Sequence, residues 1–351
     1  MNLPVKSGVT AERMEFYRRL KHKGTAPLWE SLADLVPVKP NTSGVPMHWS
    51  YDEIRPLLME AGEVITAKQA ERRVLMLENP GIQGGCLITE SLYAGLQLVL
   101  PGEIARTHRH SANALRFIIE GSGAYTAVDG ERATMHPGDF ILTPSWTFHD
   151  HGNPSNEPVV WMDGLDLPIV NMLNTGFVEY YTEESQPLTR KERDSLTRYG
   201  GNMLPLEYKS KSLSAPIFTY PYDRSRETLE WLLRNDRLNE FHGFKMQYSN
   251  PVTGGYPLPT VAAFLQLLPS GFRGAKYRST DAAIYSVAEG RGCSYVGSNC
   301  FTWKQHDIFV VPSWCPVAHE AAVDSVLFSF SDRPVQKIFG LWREQAPIIE
   351  D

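Results

Sequence analysis

Four of the ten histidines lie close together in the sequence, at His108, His110, His149 and His151. Because a β-strand alternates its faces, His108 and His110 would project to the same side of a strand. Three neutral imidazoles that meet inside a β-barrel are suitable ligands for a divalent first-row metal ion. A lone histidine is more often an ordinary hydrogen-bonded residue. The His-x-His pair followed by a third histidine nevertheless predicts that His108, His110 and His149 bind a metal.

The segments around these histidines have the pattern of short strands. From about Arg73 onward, apolar runs alternate with Gly, Pro and Asp, and Asp129-Gly130 between two such runs is typical of a tight hairpin turn. Many short strands at close spacing indicate a β-sandwich or barrel. His149 follows a strand predicted between Gly138 and Pro144, on the partner side of that hairpin.

Helical patterns occupy the N-terminal region and part of a central connector. We predict a first helix over residues 10–23 and a second that begins with a capping box at Ser50 and Glu53 and ends near Gly62. A third helix is predicted near 224–235, in a stretch rich in charge and proline. The resulting division is an N-terminal helical arm (1–72), a metal-binding domain (73–170), a connector (171–243) and a second β-domain (244–351).

The second β-domain repeats the first. Three blocks of sequence recur at an offset of about 170 residues, namely 95–101 with 264–269, 120–123 with 289–292, and 139–146 with 307–314. A constant offset over three separate blocks predicts a duplicated β-domain whose two copies pack on each other.

Composition excludes several classes of protein. The chain has 351 residues and a formal net charge of -6, and it has no basic run of the kind that binds nucleic acid. The sequence contains no uninterrupted run of 18 apolar residues, so a membrane span is not expected. The N-terminus lacks the apolar core of a signal peptide. We therefore expect a cytoplasmic protein, with its four cysteines as free thiols.

Two motifs resemble those of cupins. The first contains Gly102, His108, His110 and Gly121, and the second contains Gly138, Pro144, His149 and Asn153. The resemblance implies an all-β fold of two double-stranded β-helix (jelly-roll) barrels, a bicupin, with an N-terminal helical arm. The sequence departs from the cupin pattern at Ala114, where a glutamate ligand is usual, and at Trp146, where glycine is usual.

The loss of the glutamate restricts the chemistry. Three neutral ligands leave the double charge of the metal uncompensated, so an anionic substrate can neutralise it. A six-coordinate iron with three protein ligands has three open positions. Two of them can take a salicylate-like carboxylate and hydroxyl, and the third can take dioxygen.

These details resemble the gentisate 1,2-dioxygenase family, which includes salicylate and 1-hydroxy-2-naphthoate dioxygenases. The most specific segments are 107–117 and 146–153. The resemblance implies one Fe(II) per chain, a small aromatic acid and O2 as substrates, and a homotetramer. Gentisate is the leading substrate hypothesis, and salicylate or 1-hydroxy-2-naphthoate is the alternative. A non-catalytic bicupin and a metal-dependent isomerase remain open as other classes.

The resemblance also implies substrate-binding residues. Arg116 lies an even step beyond His110 and would share its face on one strand. The resemblance implies that this arginine holds the substrate carboxylate. Arg72 corresponds to a second carboxylate-binding arginine. Tyr93 and Gln97 correspond to residues that line the substrate ring and its hydroxyls, and Tyr93 favours gentisate because a phenol could meet a second hydroxyl. Core packing or a surface position is the alternative for Arg72, Tyr93 and Gln97.

Two further residues, His151 and Asp163, are expected to be catalytic without binding the metal. The resemblance places His151 beside the substrate hydroxyl or bound oxygen, and it implies that Asp163 is hydrogen-bonded to His151 and favours its charged form. In the second barrel the three ligand positions become Tyr277, Ser279 and Val317, whereas His151 corresponds to His319. We therefore expect that barrel to be free of metal.

Overall fold

The computed structural model describes residues 10–209 and 212–348, and the chain divides into two compact units at Asn41 and Thr42. The first unit contains helices α1 (Ala11–His22) and α2 (Leu28–Leu35). The helix predicted over 10–23 is present, because the Thr10 side chain caps α1 by accepting the Arg13 N–H. Among the described residues, no helix has both the length and the apolar character needed to cross a bilayer.

The second unit opens with a mixture of strand and helix. Its elements before the first barrel are β1 (Met47–Trp49), α3 (Tyr51–Val64), α4 (Ala67–Ala70) and β2 (Val74–Met76). The helix predicted after Ser50 is present, but the capping box predicted there is wrong, since the Ser50 side chain makes no capping hydrogen bond. A reciprocal capping box instead joins Thr66 and Gln69 at the start of α4.

The first barrel and the following connector alternate strands with short helices. The barrel strands are β3 (Tyr93–Val99), β4 (Ile104–His110), β5 (Ala114–Glu120), β6 (Tyr125–Val128), β7 (Glu131–Thr134), β8 (Phe140–Thr143), β9 (His149–Gly152) and β10 (Val159–Leu165). The connector contains α5 (Leu167–Met172), β11 (Val178–Tyr180), α6 (Asp194–Tyr199), β12 (Thr219–Tyr220) and α7 (Tyr222–Asn235). Asp129 and Gly130 join β6 to β7 with φ values of 48° and 76°, as a primed hairpin turn requires.

The second barrel completes the chain. Its elements are β13 (Phe244–Gln247), β14 (Ala262–Leu268), β15 (Arg278–Ser279), β16 (Ala283–Glu289), β17 (Arg291–Val296), β18 (Asn299–Lys304), β19 (Ile308–Val311), β20 (Val317–Ala321), β21 (Ser325–Ser331), α8 (Arg333–Ile338) and β22 (Glu344–Gln345).

Each barrel contains a six-stranded sheet and a smaller one. In the first barrel the strand orders are β12-β8-β5-β10-β3-β2 and β11-β4-β9-β6-β7, and in the second they are β1-β19-β16-β21-β14-β13 and β18-β17-β20. All of these pairings are antiparallel. The all-β, two-barrel fold expected from the sequence is confirmed, although β1 shows that the segment 1–72 is not helical throughout.

The two barrels pack on each other through their six-stranded sheets. On β5, Leu115, Phe117 and Ile119 belong to a large core shared with second-barrel residues, in which the Phe117 and Phe328 rings stack 4.2 Å apart. The alternate residues Arg116 and Ile118 face the interior of the first barrel. Strand alternation therefore separates the core between the barrels from the barrel interior that holds the histidines.

Candidate metal centre

The three predicted ligands converge at one end of the smaller sheet of the first barrel. His108 on β4 is paired with His149 on β9, and His110 ends β4. The ring centroids of these histidines are 4.3–5.2 Å apart, and one nitrogen from each lies within 4.8 Å of the others. Among the described residues this is the one group of at least three His, Cys, Asp or Glu side chains with such a geometry.

Backbone carbonyls orient the three imidazoles. Each ring places Nδ1 near the carbonyl oxygen of a residue two positions away: Arg106 at 3.4 Å from His108, Ala112 at 2.8 Å from His110, and Thr147 at 2.9 Å from His149. At His110 and His149 a donated Nδ1–H leaves the Nε2 lone pair free for a metal, whereas His108 Nδ1 also contacts the Arg72 guanidinium, which can only donate. The Nε2 of His149 is buried and has no hydrogen-bond partner. Such an orphaned acceptor fits a metal ion.

The surroundings keep these rings neutral. Burial, with Arg72 as the next contribution, lowers the pKa of His108 to about 2. Burial likewise lowers the pKa of His110 to about 4 and that of His149 well below its usual value. A metal requires the unprotonated form, so the cluster is ready to bind one at neutral pH.

Arg116 reaches the same interior from a different strand. The prediction that it shares a strand with His110 is wrong, because β4 ends at His110 and Arg116 lies on β5. Arg116 is 4% exposed, and its Nε lies 3.3 Å from Asp163 Oδ1. Its Nη2 donates to His151 Nε2 at 3.1 Å, and its Nη1 donates to Thr143 Oγ1.

His151 is held between two partners and is neutral. Because Arg116 can only donate, His151 Nε2 must accept, and the Nδ1–H then donates to Thr126 Oγ1 at 2.9 Å. Burial and the charge of Arg116 keep the pKa of His151 well below its usual value. Sequence reasoning missed Thr126, because it lies opposite His151 in the pairing of β6 with β9, two strands that are separated in the chain by β7 and β8.

Asp163 lies inside strand β10 and does not contact His151. Its Oδ1 accepts a hydrogen bond from Trp161 Nε1 at 3.0 Å and faces Arg116. Burial raises the pKa of Asp163, and the Arg116 charge opposes that rise. The predicted hydrogen bond between Asp163 and His151 is therefore wrong, since Arg116 lies between them and contacts both.

Arg72 lies on the solvent side of the cluster. Its guanidinium contacts His108 Nδ1 and donates to the carbonyls of Glu71 and Arg106, each at 2.8 Å. Among the described residues, no carboxylate lies within ion-pair distance of it. Burial and the nearby Arg116 lower the pKa of Arg72 to about 10, so it remains a cation at neutral pH.

A cavity of about 920 Å³ opens at this position. Arg72, His108 and His110 line its polar side, and its apolar wall consists of Leu165, Leu167, Val170, Phe177 and Val178. The volume is in the range of pockets that bind small organic ligands.

Tyr93 and Gln97 do not line that cavity. Both lie on β3, on the side that faces the barrel interior together with Gly95. Gln97 is 2% exposed, whereas Tyr93 is partly buried. A Cβ at Gly95 would lie 3.0 Å from the Tyr93 hydroxyl, so this glycine leaves room for the phenol. Their roles in binding stay predictions.

In the second barrel, Tyr277 and Val317 form the bridge that corresponds to the pairing of His108 with His149. The Tyr277 hydroxyl lies 3.2 Å from the Tyr285 hydroxyl, where Tyr285 occupies the position of Arg116. The remaining cavity, of about 20 Å³, has room for one water molecule.

Comparisons with known proteins identify the family of this chain. A family model described as "Cupin domain" matches residues 95–165. The chain is 55% identical to gentisate 1,2 dioxygenase 1 of Aquipseudomonas alcaligenes, covering 98% of this chain and 99% of that protein. It is 36% identical to a gentisate 1,2-dioxygenase of a Streptomyces species over 94% of each chain.

A solved structure extends the likeness to three dimensions. The salicylate 1,2-dioxygenase of Pseudoaminobacter salicylatoxidans, solved as an adduct with gentisate, superposes with a TM-score of 0.91 at 30% identity. The match covers 98% of this chain and 96% of that one. This chain belongs to the gentisate 1,2-dioxygenase family of bicupin, ring-cleaving dioxygenases.

Proposed function

We propose that this protein is a gentisate 1,2-dioxygenase, which cleaves the ring of 2,5-dihydroxybenzoate with O2 to give maleylpyruvate. The observation that carries the proposal is a carboxylate-free cluster of His108, His110 and His149 beside Arg72, which has no carboxylate within ion-pair distance in the described part of the chain. The relative at 55% identity is named as a gentisate dioxygenase and matches this chain over nearly its full length, which supports the same reaction.

His108, His110 and His149 would hold Fe(II), with the buried Nε2 of His149 as one donor. When bound, the iron supplies the redox chemistry that links an electron-rich aromatic ring to dioxygen. Because all three imidazoles are neutral, the protein contributes no negative charge to the metal. The substrate carboxylate and its neighbouring hydroxyl supply that charge.

The two arginines have different roles in this proposal. Arg116 is balanced by Asp163 and fixed by His151, so it provides a rigid guanidinium inside the barrel. Among the described residues, Arg72 donates only to carbonyls and contacts His108, so a substrate carboxylate entering the cavity would form its ion pair. His151 and Asp163 act as positioning residues that hold Arg116.

Binding orients the ring and keeps it dry. The apolar wall of Leu165, Leu167 and Val170 suits one face of an aromatic acid. Tyr93 and Gln97 would meet the ring from the interior side of the cluster, where the Tyr93 hydroxyl is suited to a second substrate hydroxyl. Tyr93 therefore favours gentisate over salicylate, which lacks the 5-hydroxyl.

Oxygen uptake by the iron-loaded protein tests the proposal. The specificity constant kcat/KM is measured with gentisate, salicylate and 1-hydroxy-2-naphthoate, and the gentisate product is identified by its mass and absorption spectrum. We expect the highest kcat/KM for gentisate. A higher value for salicylate, the substrate that names the solved relative, or for 1-hydroxy-2-naphthoate would contradict the assignment.

Three finer properties belong to the same proposal. We propose Fe(II) at one ion per chain, a homotetramer and a cytoplasmic location, all on the family resemblance stated above. Anaerobic reconstitution followed by metal analysis, light scattering and cell fractionation measure these properties. The domain boundaries at 72, 170 and 243 are likewise proposed, and limited proteolysis followed by mass spectrometry tests them.

A further inference from the structure

Glu71 has an unusual backbone conformation directly before Arg72. Its φ is 55° and its ψ is -48°, and the Arg72 N–H bonds to the Ala70 carbonyl. These features define a γ-turn with positive φ, a rare and strained conformation for any residue other than glycine. Strain of this kind persists only where surrounding contacts maintain it.

The Glu71 side chain provides such a contact. Its Oε2 accepts a hydrogen bond from the Tyr180 hydroxyl at 3.0 Å, across 109 residues of sequence. Tyr180 lies on β11 directly opposite His108 in the pairing of β11 with β4. Glycine would relieve the strain at position 71, but it could not make this bond.

The main chain of Glu71 holds the arginine as well. The Glu71 carbonyl accepts from Arg72 Nη1, and the Arg106 carbonyl accepts from Arg72 Nη2. The Arg106 guanidinium lies 5.7 Å from the Tyr180 ring. Glu71, Arg72, Arg106 and Tyr180 all line the large cavity.

We propose that the hydrogen bond between Glu71 and Tyr180 is a clasp that positions Arg72 toward the substrate carboxylate. The inference rests on the proposed function, because it assumes that Arg72 binds an aromatic acid. Both clasp residues are exposed, so their bond contributes little to global stability. The bond instead fixes the position of the Arg72 guanidinium, and Glu71 and Tyr180 are therefore positioning residues.

Steady-state oxygen uptake with gentisate tests the clasp. We expect Tyr180→Phe and Glu71→Ala each to raise KM by about fivefold, the effect of one hydrogen bond, with kcat within about twofold of the parent value. Glu71→Gln keeps an acceptor oxygen and should retain the parent KM. Iron content and the urea midpoint of unfolding should be unchanged in all three variants.

A double-mutant cycle shows whether the clasp acts through Arg72. Arg72→Met should raise KM, and adding Tyr180→Phe to that variant should have no further effect. Additive effects would overturn the clasp, because Tyr180 would then contact substrate itself. An unchanged KM in Tyr180→Phe, or in Arg72→Met, would also overturn it. Failure of the parent enzyme to consume oxygen with gentisate would contradict the proposed function instead.

Discussion

The two barrels have equivalent strands around very different interiors. In the first, His108, His110 and His149 stand beside a cavity of about 920 Å³. In the second, Tyr277, Ser279 and Val317 take the ligand positions, and the cavity is about 20 Å³. The barrel that lacks the histidine ligands therefore also lacks a large cavity beside the ligand positions.

The interior of the second barrel contains a lysine. Lys245 on β13 lies opposite Gln266, as Val74 on β2 lies opposite Gln97. The Lys245 ammonium lies 5.0 Å from the Phe264 ring centroid and 5.4 Å from that of Tyr285. Phe264 stands where the first barrel has Gly95. A side-chain cation resting on aromatic rings thus lies inside this barrel.

Some features persist in both barrels. His151 is bonded to Thr126 at 2.9 Å, and His319 is bonded to Ser294 at 2.8 Å. The contact between Ser294 and His319 occurs in the barrel whose ligand positions hold Tyr277, Ser279 and Val317. This hydroxyl–histidine contact therefore stabilises the barrel and does not depend on the metal ligands. What distinguishes His151 is its second contact, with Arg116, because the corresponding Nε2 of His319 has no hydrogen-bond partner among the described residues.

The tryptophan that replaces the cupin glycine is another shared feature. Trp146 and Trp314 have φ values of 60° and 59°, in the left-handed region that glycine favours. Arg109 stacks on Trp146 at 4.4 Å, and Arg278 stacks on Trp314 at 4.7 Å. A cation–π contact of about 0.5–2 kcal/mol is of the size needed to offset the left-handed strain of about 1–2 kcal/mol.

The largest effect is expected from removing one ligand in the first barrel. His110→Ala should abolish metal retention and reduce kcat/KM by about 10³-fold or more, since a metal supplies several kcal/mol of transition-state stabilisation. Ser279→Ala, at the equivalent position, is the matched control and should change neither quantity. Metal analysis and oxygen uptake measure both. Ring cleavage by His110→Ala at the parent rate would contradict the site.

A smaller effect is expected from the buried arginine. Arg116→Met should raise the KM for gentisate by about 10- to 100-fold with iron retained, because a hydrogen bond to a charged group contributes about 1.5–3 kcal/mol. It should also destabilise the fold by leaving Asp163 buried without its partner.

The double variant Arg116→Met with Asp163→Asn separates these two consequences. It should recover stability in a urea titration but not affinity for gentisate. Tyr285→Phe, at the corresponding position of the second barrel, should leave KM unchanged. If the double variant regained the parent KM, Arg116 would have no part in binding.

Two buried aspartates, Asp166 and Asp332, precede the corresponding helices α5 and α8. Burial, with Asp281 as the next contribution, raises the pKa of Asp332 to about 6. A carboxyl whose pKa is higher in the folded state contributes stability below about pH 4, and that contribution is lost as the pH rises through about 6. The pKa of Asp166 is also raised by burial, but Thr260 and Asn113 donate hydrogen bonds to it that oppose the rise.

Asp332→Asn should therefore be more stable than the parent protein at pH 7.5 by about 3 kcal/mol and equally stable near pH 4, since the pKa rises by about two units and each unit corresponds to about 1.36 kcal/mol. Asp166→Asn should show a smaller change with pH. Urea unfolding at both pH values measures the difference, and parallel pH profiles for parent and Asp332→Asn would rule it out.

Local sequence was sufficient for two of the metal ligands, because His108 and His110 needed only the alternation of one strand. His149 lies on β9, which pairs with β4 across several intervening strands, and it was predicted from the cupin motif. The repeat located Tyr277 and Val317 as their counterparts, and these two residues do form a bridge.

Contacts between strands that are distant in sequence could not be predicted in the same way. β10 pairs with β5 and not with β9, so Asp163 lies opposite Arg116 and away from His151. Residues 111–113 separate β4 from β5, so the alternation of side-chain faces does not continue from His110 to Arg116. Arg116 does face the interior, but for a reason that counting along one strand does not give. The γ-turn at Glu71 has no sequence signal.

Restoring the histidines in the second barrel should have the smallest effect. In the variant Tyr277→His, Ser279→His, Val317→His, we expect metal content to remain that of the parent protein, because the Lys245 ammonium repels a dication and Phe264 fills the interior. Adding Lys245→Val and Phe264→Gly introduces the residue types that Val74 and Gly95 provide in the first barrel. This variant should bind a second metal ion per chain. Metal analysis measures both variants, with the urea midpoint as a control for folding. A second equivalent in the three-histidine variant would show that ligand loss alone, without the filling, made this barrel metal-free.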